Sequence, residues 1–333
     1  MFPKLEYPEA NKLIKDNELV YVEIKDGVIR GFNQTHFFET SNDFKDFTTR
    51  AFTSPTKIYH HKVSGNNVAM WSGGLPGDLT YSHDFGHTVK TIKFPIPITH
   101  YMSGHGHGCE DVHWVDNNTL LLVTVRAGPS SVNTLSNLET FIWKLNLATN
   151  NMQLISSIPG FYEGAVNFST PNHGWIVLAR QFLLNNVNKT QNTNLAITDD
   201  GGKSWTTPVL IDSFTRHSLK RGSDNHLFLH HYTDSGYFST DGGIHWNKPK
   251  TSPGLNSVHV FNASSLYGVE NVDFYKSTDG GATWNKMPEL DPTRGSLGIL
   301  NMVNEQTGVS FYHLALFVTR DGGKNWKRLI YPE

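Results

Sequence analysis

The sequence predicts an all-β chain folded as a single β-propeller of seven four-stranded blades, and three observations carry that prediction. One turn motif recurs about 40 residues apart, the length of a propeller blade. The composition is 12% aromatic with eight Trp, 29 Gly and 15 Pro, and only 17% of residues are charged. That balance suits short strands and tight turns better than long helices. Each interval between motifs also divides into strand-like runs: the fourth unit reads as Gly164–Ser169, Trp175–Ala179, Asn194–Thr198 and Ser204–Leu210.

The motif reads Ser/Thr-x-Asp-x-Gly-x-x-Trp and spans Thr198 to Trp205, Ser239 to Trp246, Ser277 to Trp284 and Thr319 to Trp326. A hydroxyl and a carboxylate two residues apart both bond backbone amides of one turn. The Gly supplies a positive φ, and the Trp drops between neighbouring sheets. These Asp residues are therefore read as turn formers. Weaker copies stand at Ser82-His83-Asp84-Phe85-Gly86 and at Ser41-Asn42-Asp43 with Phe47, and Leu145–Asn151 fills the remaining interval. Seven turns result, near residues 43, 84, 149, 200, 241, 279 and 321. The alternative is six blades with residues 97–160 as an insertion. Residues 1–17 are read as a lead-in, the first blade starts near Leu19, and the ring closes without a strand exchanged between termini.

Charge and cysteine usage exclude several classes. Balanced counts of 28 basic and 30 acidic residues give no field for nucleic acid or a membrane surface. No apolar run approaches the roughly 20 residues that span a bilayer. One cysteine, Cys109, rules out an intrachain disulfide. The first residues lack the pattern of a signal peptide, so the expected setting is cytoplasmic, virion-associated or a processed secreted form. Sequons at Asn33, Asn117, Asn167, Asn188 and Asn262 are taken as chance in an Asn-rich chain.

The repeated turn resembles the Asp box of the sialidase-like superfamily, which includes sialidases, some glucanases, sortilin-type receptors and photosystem II assembly propellers. That resemblance covers most of the chain and implies a fold more than an activity. Loops opposite the box turns are expected at 96–109, 127–139 and 181–193, all over blades two to four. Beneath them Glu163 and Arg180 are expected as near cross-strand partners, and Glu110 and Asp111 with Arg126 repeat the arrangement one blade earlier. An Arg fork suits a carboxylate, sulfate or phosphate, and a neighbouring carboxylate suits acid–base work. By resemblance to sialidases, Tyr162-Glu163-Gly164 and Arg180 would match the Glu that polarises a Tyr nucleophile and one Arg of the carboxylate-binding triad. The family's early Arg-Ile-Pro motif is replaced by Val20–Ile24, and its later Tyr is missing at Leu255–Val258, so a standard sialidase is not expected. Arg221 is the offered third Arg.

Histidine is the other signal. His105, His107 and Cys109 in a Gly-rich loop are candidate Zn²⁺ ligands, without the spacing of an established zinc motif. His231, Tyr232 and His313 close strands at the same mouth and are candidate acid–base or ligand-binding groups. Two functions follow. One is a glycoside hydrolase or polysaccharide lyase acting on an acidic glycan, with Glu163, Asp111, His231 and Tyr232 catalytic and Arg126, Arg180, Glu110, Arg221, Tyr162 and His313 binding. The other is a non-catalytic binding or assembly module, such as a virion or host-recognition subunit or a protein assembly factor.

Overall fold

A computed structural model describes residues 18–72, 77–94, 109–126, 139–161, 163–184, 188–212, 218–231, 234–251, 253–271, 273–287, 298–312 and 315–330. Seven antiparallel sheets follow one another along the chain, and no helix occurs among the described residues. Blade 1 holds β1 (Tyr21–Lys25), β2 (Val28–Phe32), β3 (His36–Thr40) and β4 (Thr48–Ala51). Blade 2 holds β5 (His60–Ser64), β6 (Asn67–Trp71), β7 (Asp78–Ser82) and β8 (Lys90–Lys93). In blade 3 the strands lengthen: β9 (Cys109–Asp116), β10 (Thr119–Arg126), β11 (Glu139–Asn146) and β12 (Asn151–Pro159). Blade 4 holds β13 (Glu163–Phe168), β14 (Gly174–Leu184), β15 (Asn188–Thr198) and β16 (Val209–Asp212). Blade 5 has β17 (Ser218–Arg221), β18 (Leu227–His231) and β19 (Asp234–Ser239), and a single bridge from Phe238 to Asn247 marks its fourth position. Blade 6 holds β20 (Ser257–Val260), β21 (Leu266–Glu270), β22 (Asp273–Ser277) and β23 (Asn285–Lys286). Blade 7 holds β24 (Ile299–Met302), β25 (Gly308–Tyr312), β26 (Ala315–Thr319) and β27 (Lys327–Ile330). Each sheet is a simple meander, so the fold is a seven-bladed propeller and the six-blade alternative is set aside.

The chain forms two compact units, one running to Thr53 and resuming at Leu219, the other Ser54–Ser218. Within each, apolar side chains are buried between blades. In the first unit, Val22, Ile24 and Phe38 of blade 1 pack on Val309, Phe311 and Leu316 of blade 7. Trp326 of blade 7 packs on Tyr267 and Phe274 of blade 6, and Trp284 of blade 6 on Phe228 of blade 5. In the second unit, Trp71 and Tyr81 of blade 2 meet Trp114 and Leu122 of blade 3, while Val123 and Ile142 of blade 3 meet Ile176 and Ala196 of blade 4. Blades 1 and 7 share this core, yet each is built from one continuous stretch of chain, as a closure without strand exchange requires.

The recurrent turns follow the third strands and work by one hydrogen-bond scheme. In blade 4 the Thr198 hydroxyl donates to Asp200 Oδ1 at 2.8 Å and accepts the Gly202 N–H at 2.9 Å. Asp200 then accepts both the amide and the hydroxyl of Ser204. These bonds, the Ser204 hydroxyl first, hold the Asp200 carboxyl down at about 2. Blade 6 repeats the set with Ser277, Asp279, Gly281 and Thr283. Gly281 sits at φ +97°, and a Cβ there would lie 2.7 Å from the Phe228 ring. Blade 3 lacks the box but keeps the turn, with the Asn146 side chain accepting the amides of Ala148 and Thr149. Blade 1 corrects the expected register by one residue: Thr40 and Asn42, rather than Ser41 and Asp43, occupy the hydroxyl and carboxylate positions. Asp43 is thereby released to accept from Arg320 at 2.6 Å and Lys327 at 3.4 Å on blade 7.

Candidate functional site

The first strand of every blade lies at one edge of its sheet, and the third position of that strand recurs as a polar residue. That position is Glu23, Lys62, Asp111, Ala165, Lys220, His259 and Asn301 in blades 1 to 7, polar in six of seven. Sequence reasoning passed over this repeat; strands aligned from their first residues would have displayed it. In blade 3, Asp111 Oδ2 accepts the Val166 N–H of blade 4 at 2.8 Å, and Oδ1 lies 3.6 Å from Lys62 Nζ of blade 2. One carboxylate thus ties three first strands together, satisfying an amide that no strand pairs. In the other unit the Asn301 side chain links two first strands, donating to the Val22 carbonyl at 2.6 Å.

Beside Asp111, the Trp71 indole N–H donates to the Cys109 carbonyl at 2.8 Å, and His60 stacks on that indole at 5.5 Å. Burial lowers the His60 pKa, against the pull of the Asp111 charge. Cys109 is buried, with its thiol directed to the Asp111 carbonyl at 3.4 Å, and burial pushes that thiol well up. His105 and His107 lie outside the described residues, and no cluster of metal-ligating side chains occurs among the described ones.

The other sequence-derived residues are placed as follows. Glu163 opens β13 opposite Ala179, so Arg180 stands one residue further on, opposite Asn192. Arg126 ends β10 opposite Glu139 of β11, and Asp111 lies opposite Val123; the expected pairing of Arg126 with Glu110 and Asp111 therefore shifts. A bulge at Glu110 causes the offset, since Thr124 pairs with Cys109 and Val123 with Asp111. Arg221 ends β17 at the turn into β18 and pairs with Asp224 of that turn at 3.3 Å, on the side of the box turn through Gly242 and Asn225. Arg221 thus stands at the box-turn end of its own blade. His231 ends β18 opposite Asp234. Tyr162, Tyr232 and His313 lie outside the described residues, as do most of 96–109 and 127–139.

The expected loop 181–193 is corrected to strand. Here β14 and β15 pair continuously to Leu184 and Asn188. The flanking strands stop earlier, β13 opposite Ala179 and β16 opposite Thr193. Five pairs, Arg180–Asn192 to Leu184–Asn188, thus project past the blade with no strand on either side among the described residues. The adjoining outer strand β16 exposes Val209 at 55% and Leu210 at 56%. It carries no Lys or Arg, whereas β4, β8, β23 and β27 carry Arg50, Lys90 with Lys93, Lys286, and Lys327 with Arg328.

Meandering sheets, cores between blades and turn motifs that return blade by blade define the class: a seven-bladed β-propeller. No protein-family model and no curated protein matches the chain. Solved structures do match in fold. The chain is similar to YCF48 bound to D1 peptide, with TM-score 0.54 and 15% identity over 83% of this chain and 82% of that one. It is similar to YCF48 from Cyanidioschyzon merolae, with TM-score 0.55 and 15% identity over 92% and 94%. The propeller domain of the Trilobed protease from Pyrococcus furiosus gives TM-score 0.55 and 10% identity over 94% and 97%. At such identities the likeness is one of fold.

Proposed function

We propose that the chain is a non-catalytic recognition propeller, of the Asp-box type, that holds an extended polypeptide segment on blade 4. The exposed apolar outer strand of that blade, Val209 and Leu210 with no Lys or Arg beside them, carries the reading. Sheet edges that must stay single are usually guarded by charge; the outer strands of blades 1, 2, 6 and 7 carry Lys or Arg, whereas β16, like β12 of blade 3, carries none. An extended segment added there pairs its main chain with β15 or β16 and covers Val209 and Leu210. That a structure of similar fold is YCF48 bound to D1 peptide supports a peptide as the class of partner. Asp111 fits the reading as a brace, because both its oxygens are engaged by neighbouring blades.

The test selects linear peptides from a displayed random library on the full chain and measures their affinity by fluorescence anisotropy. Two variants are compared with the wild type: residues 181–191 replaced by an Asn-Gly turn, which restores a two-residue hairpin between Arg180 and Asn192, and Leu210→Lys. At least one variant should weaken binding more than tenfold while leaving the circular dichroism spectrum unchanged. Undiminished binding by both overturns the proposal. A parallel panel of sulfated, uronic and sialylated polysaccharides tests the acidic-glycan reading. Cleavage abolished by Glu163→Gln would establish that reading in place of this one.

A further inference from the structure

Among the described residues, six blades end their third strand in a turn whose fifth residue donates its N–H to the hydroxyl of the first. The fourth and fifth residues of these turns take left-handed backbone. In blades 4 to 7 both are glycine: Gly201 and Gly202, Gly242 and Gly243, Gly280 and Gly281, Gly322 and Gly323. Blade 2 has Phe85 and Gly86. Blade 1 has no glycine at either place: Asp43 stands at φ 57° and Phe44 at φ 68°. A Cβ makes this conformation costly, and for a side chain as bulky as Phe44 it is a true outlier. Both side chains that incur the cost reach toward blade 7. Phe44 is 1% exposed, lies beside Phe38 and Phe47 with ring centroids 5.8 Å away, and shares one core with Val309, Phe311 and Leu316 of blade 7. Asp43 Oδ1 accepts from Arg320 Nη2 at 2.6 Å, and Oδ2 lies 3.4 Å from Lys327 Nζ. Blades 7 and 1 exchange no strand. Asn301, donating to the Val22 carbonyl at 2.6 Å, pins them at their first strands, and Asp43 pins them at the turn.

We propose that Asp43-Phe44 is a strained latch on the seam of blades 7 and 1, closed by the two ion pairs and released by ionic strength. A glycine pair builds the same turn without strain in blades 4 to 7, but it would offer blade 7 neither a carboxylate nor a ring. The strain is retained for the seam, and what offsets it lies across the seam. A seam that parts therefore frees the turn to leave its left-handed conformation, and the two events reinforce each other. The ion pairs are the adjustable part. Arg320 is 56% and Lys327 52% exposed, against 19% for Asp43, so solvent ions reach both cations. Screening shortens from about 10 Å at 0.1 M salt to about 3 Å at 1 M. Each exposed pair shifts an opening constant by up to about fivefold, so the two together give a several-fold response to salt. The apolar contacts of Phe44 do not weaken with salt, which leaves the charges to set the direction.

Hydrogen exchange of the full chain tests it, at about 0.05 M and about 1 M NaCl. In the wild type, amides of Val22–Ile24 and Phe44 should open about threefold to tenfold more at the higher salt, relative to amides around Val112 in blade 3. Asp43→Asn tolerates the left-handed conformation but carries no charge. Its seam should be more open than wild type at low salt and respond to salt by less than about twofold. Asp43→Gly separates a latch from a plain turn. Glycine relieves the backbone, so a plain turn would exchange as slowly as wild type or more slowly, whereas the latch requires faster exchange at the seam. A wild-type seam that responds to salt no more than blade 3, or an Asp43→Gly seam no faster than wild type, overturns the proposal. Should a variant fail to fold, the wild-type salt response alone decides: a rise at the seam supports the latch, and no rise overturns it.

Discussion

Asp111→Ala is the substitution that best separates a brace from a catalytic acid. It removes the acceptor of the Val166 N–H and leaves Lys62 without its carboxylate. A hydrogen bond to a charged acceptor contributes about 2 kcal/mol, and abandoning a mostly buried amide sets that figure rather than less. The ion pair adds at most about 1 kcal/mol, because Lys62 is 31% exposed and solvent screens it. The expected loss is about 3 kcal/mol, or roughly 4 °C in Tm for a chain of this size. Asp111→Asn keeps an acceptor for Val166 and should cost about 1 kcal/mol. Urea titration followed by intrinsic fluorescence, with a thermal melt beside it, reads both variants. An Asp111→Ala protein as stable as wild type would refute the brace, and one more stable would carry the signature of a strained functional carboxylate.

Other outcomes follow from the turns. The Asp200 and Asp241 carboxyls are held at about 2, Asp200 chiefly by the Ser204 hydroxyl and Asp241 chiefly by the His245 amide. Their folded values are depressed, so the stability they lend is present above about pH 4 and lost as pH falls through about 2. Circular dichroism against pH should show that acid transition, and Asp241→Asn should reduce its steepness. Gly323→Ala forces a side chain onto φ +85° and a Cβ into the Phe274 ring, for an expected loss of about 3 kcal/mol by urea titration. Asn146→Ala removes the acceptor of two turn amides in the blade without a box and should cost about 1 kcal/mol.

The blades were legible because their signal is local. A hydroxyl, a carboxylate and a glycine within five residues declare the turn at Thr198, and about 40-residue intervals supply the rest. Even the boxless turn at Asn146–Asn151 could be placed by interval alone. Blade 1 slipped by one residue because Asn42 accepts amide protons as Asp does, and local chemistry does not separate it from Asp43. The hairpin at 181–193 read as a loop because Asn188 to Thr193 is rich in polar residues, and strand propensity is a weak guide beside pairing. The site was least legible of all. Asp111 meets Val166 across 55 positions and Asn301 meets Val22 across 279, so what these side chains do is decided by the neighbouring blade.

Blade 4 is where the functional account stands or falls. Hydrogen exchange of the chain with and without a selected linear peptide measures it directly. The account expects amides of Asn188–Asn192 or Val209–Asp212 to gain at least tenfold protection on binding, since an added strand closes an open edge. Protection gained elsewhere, with this edge unchanged, would contradict it.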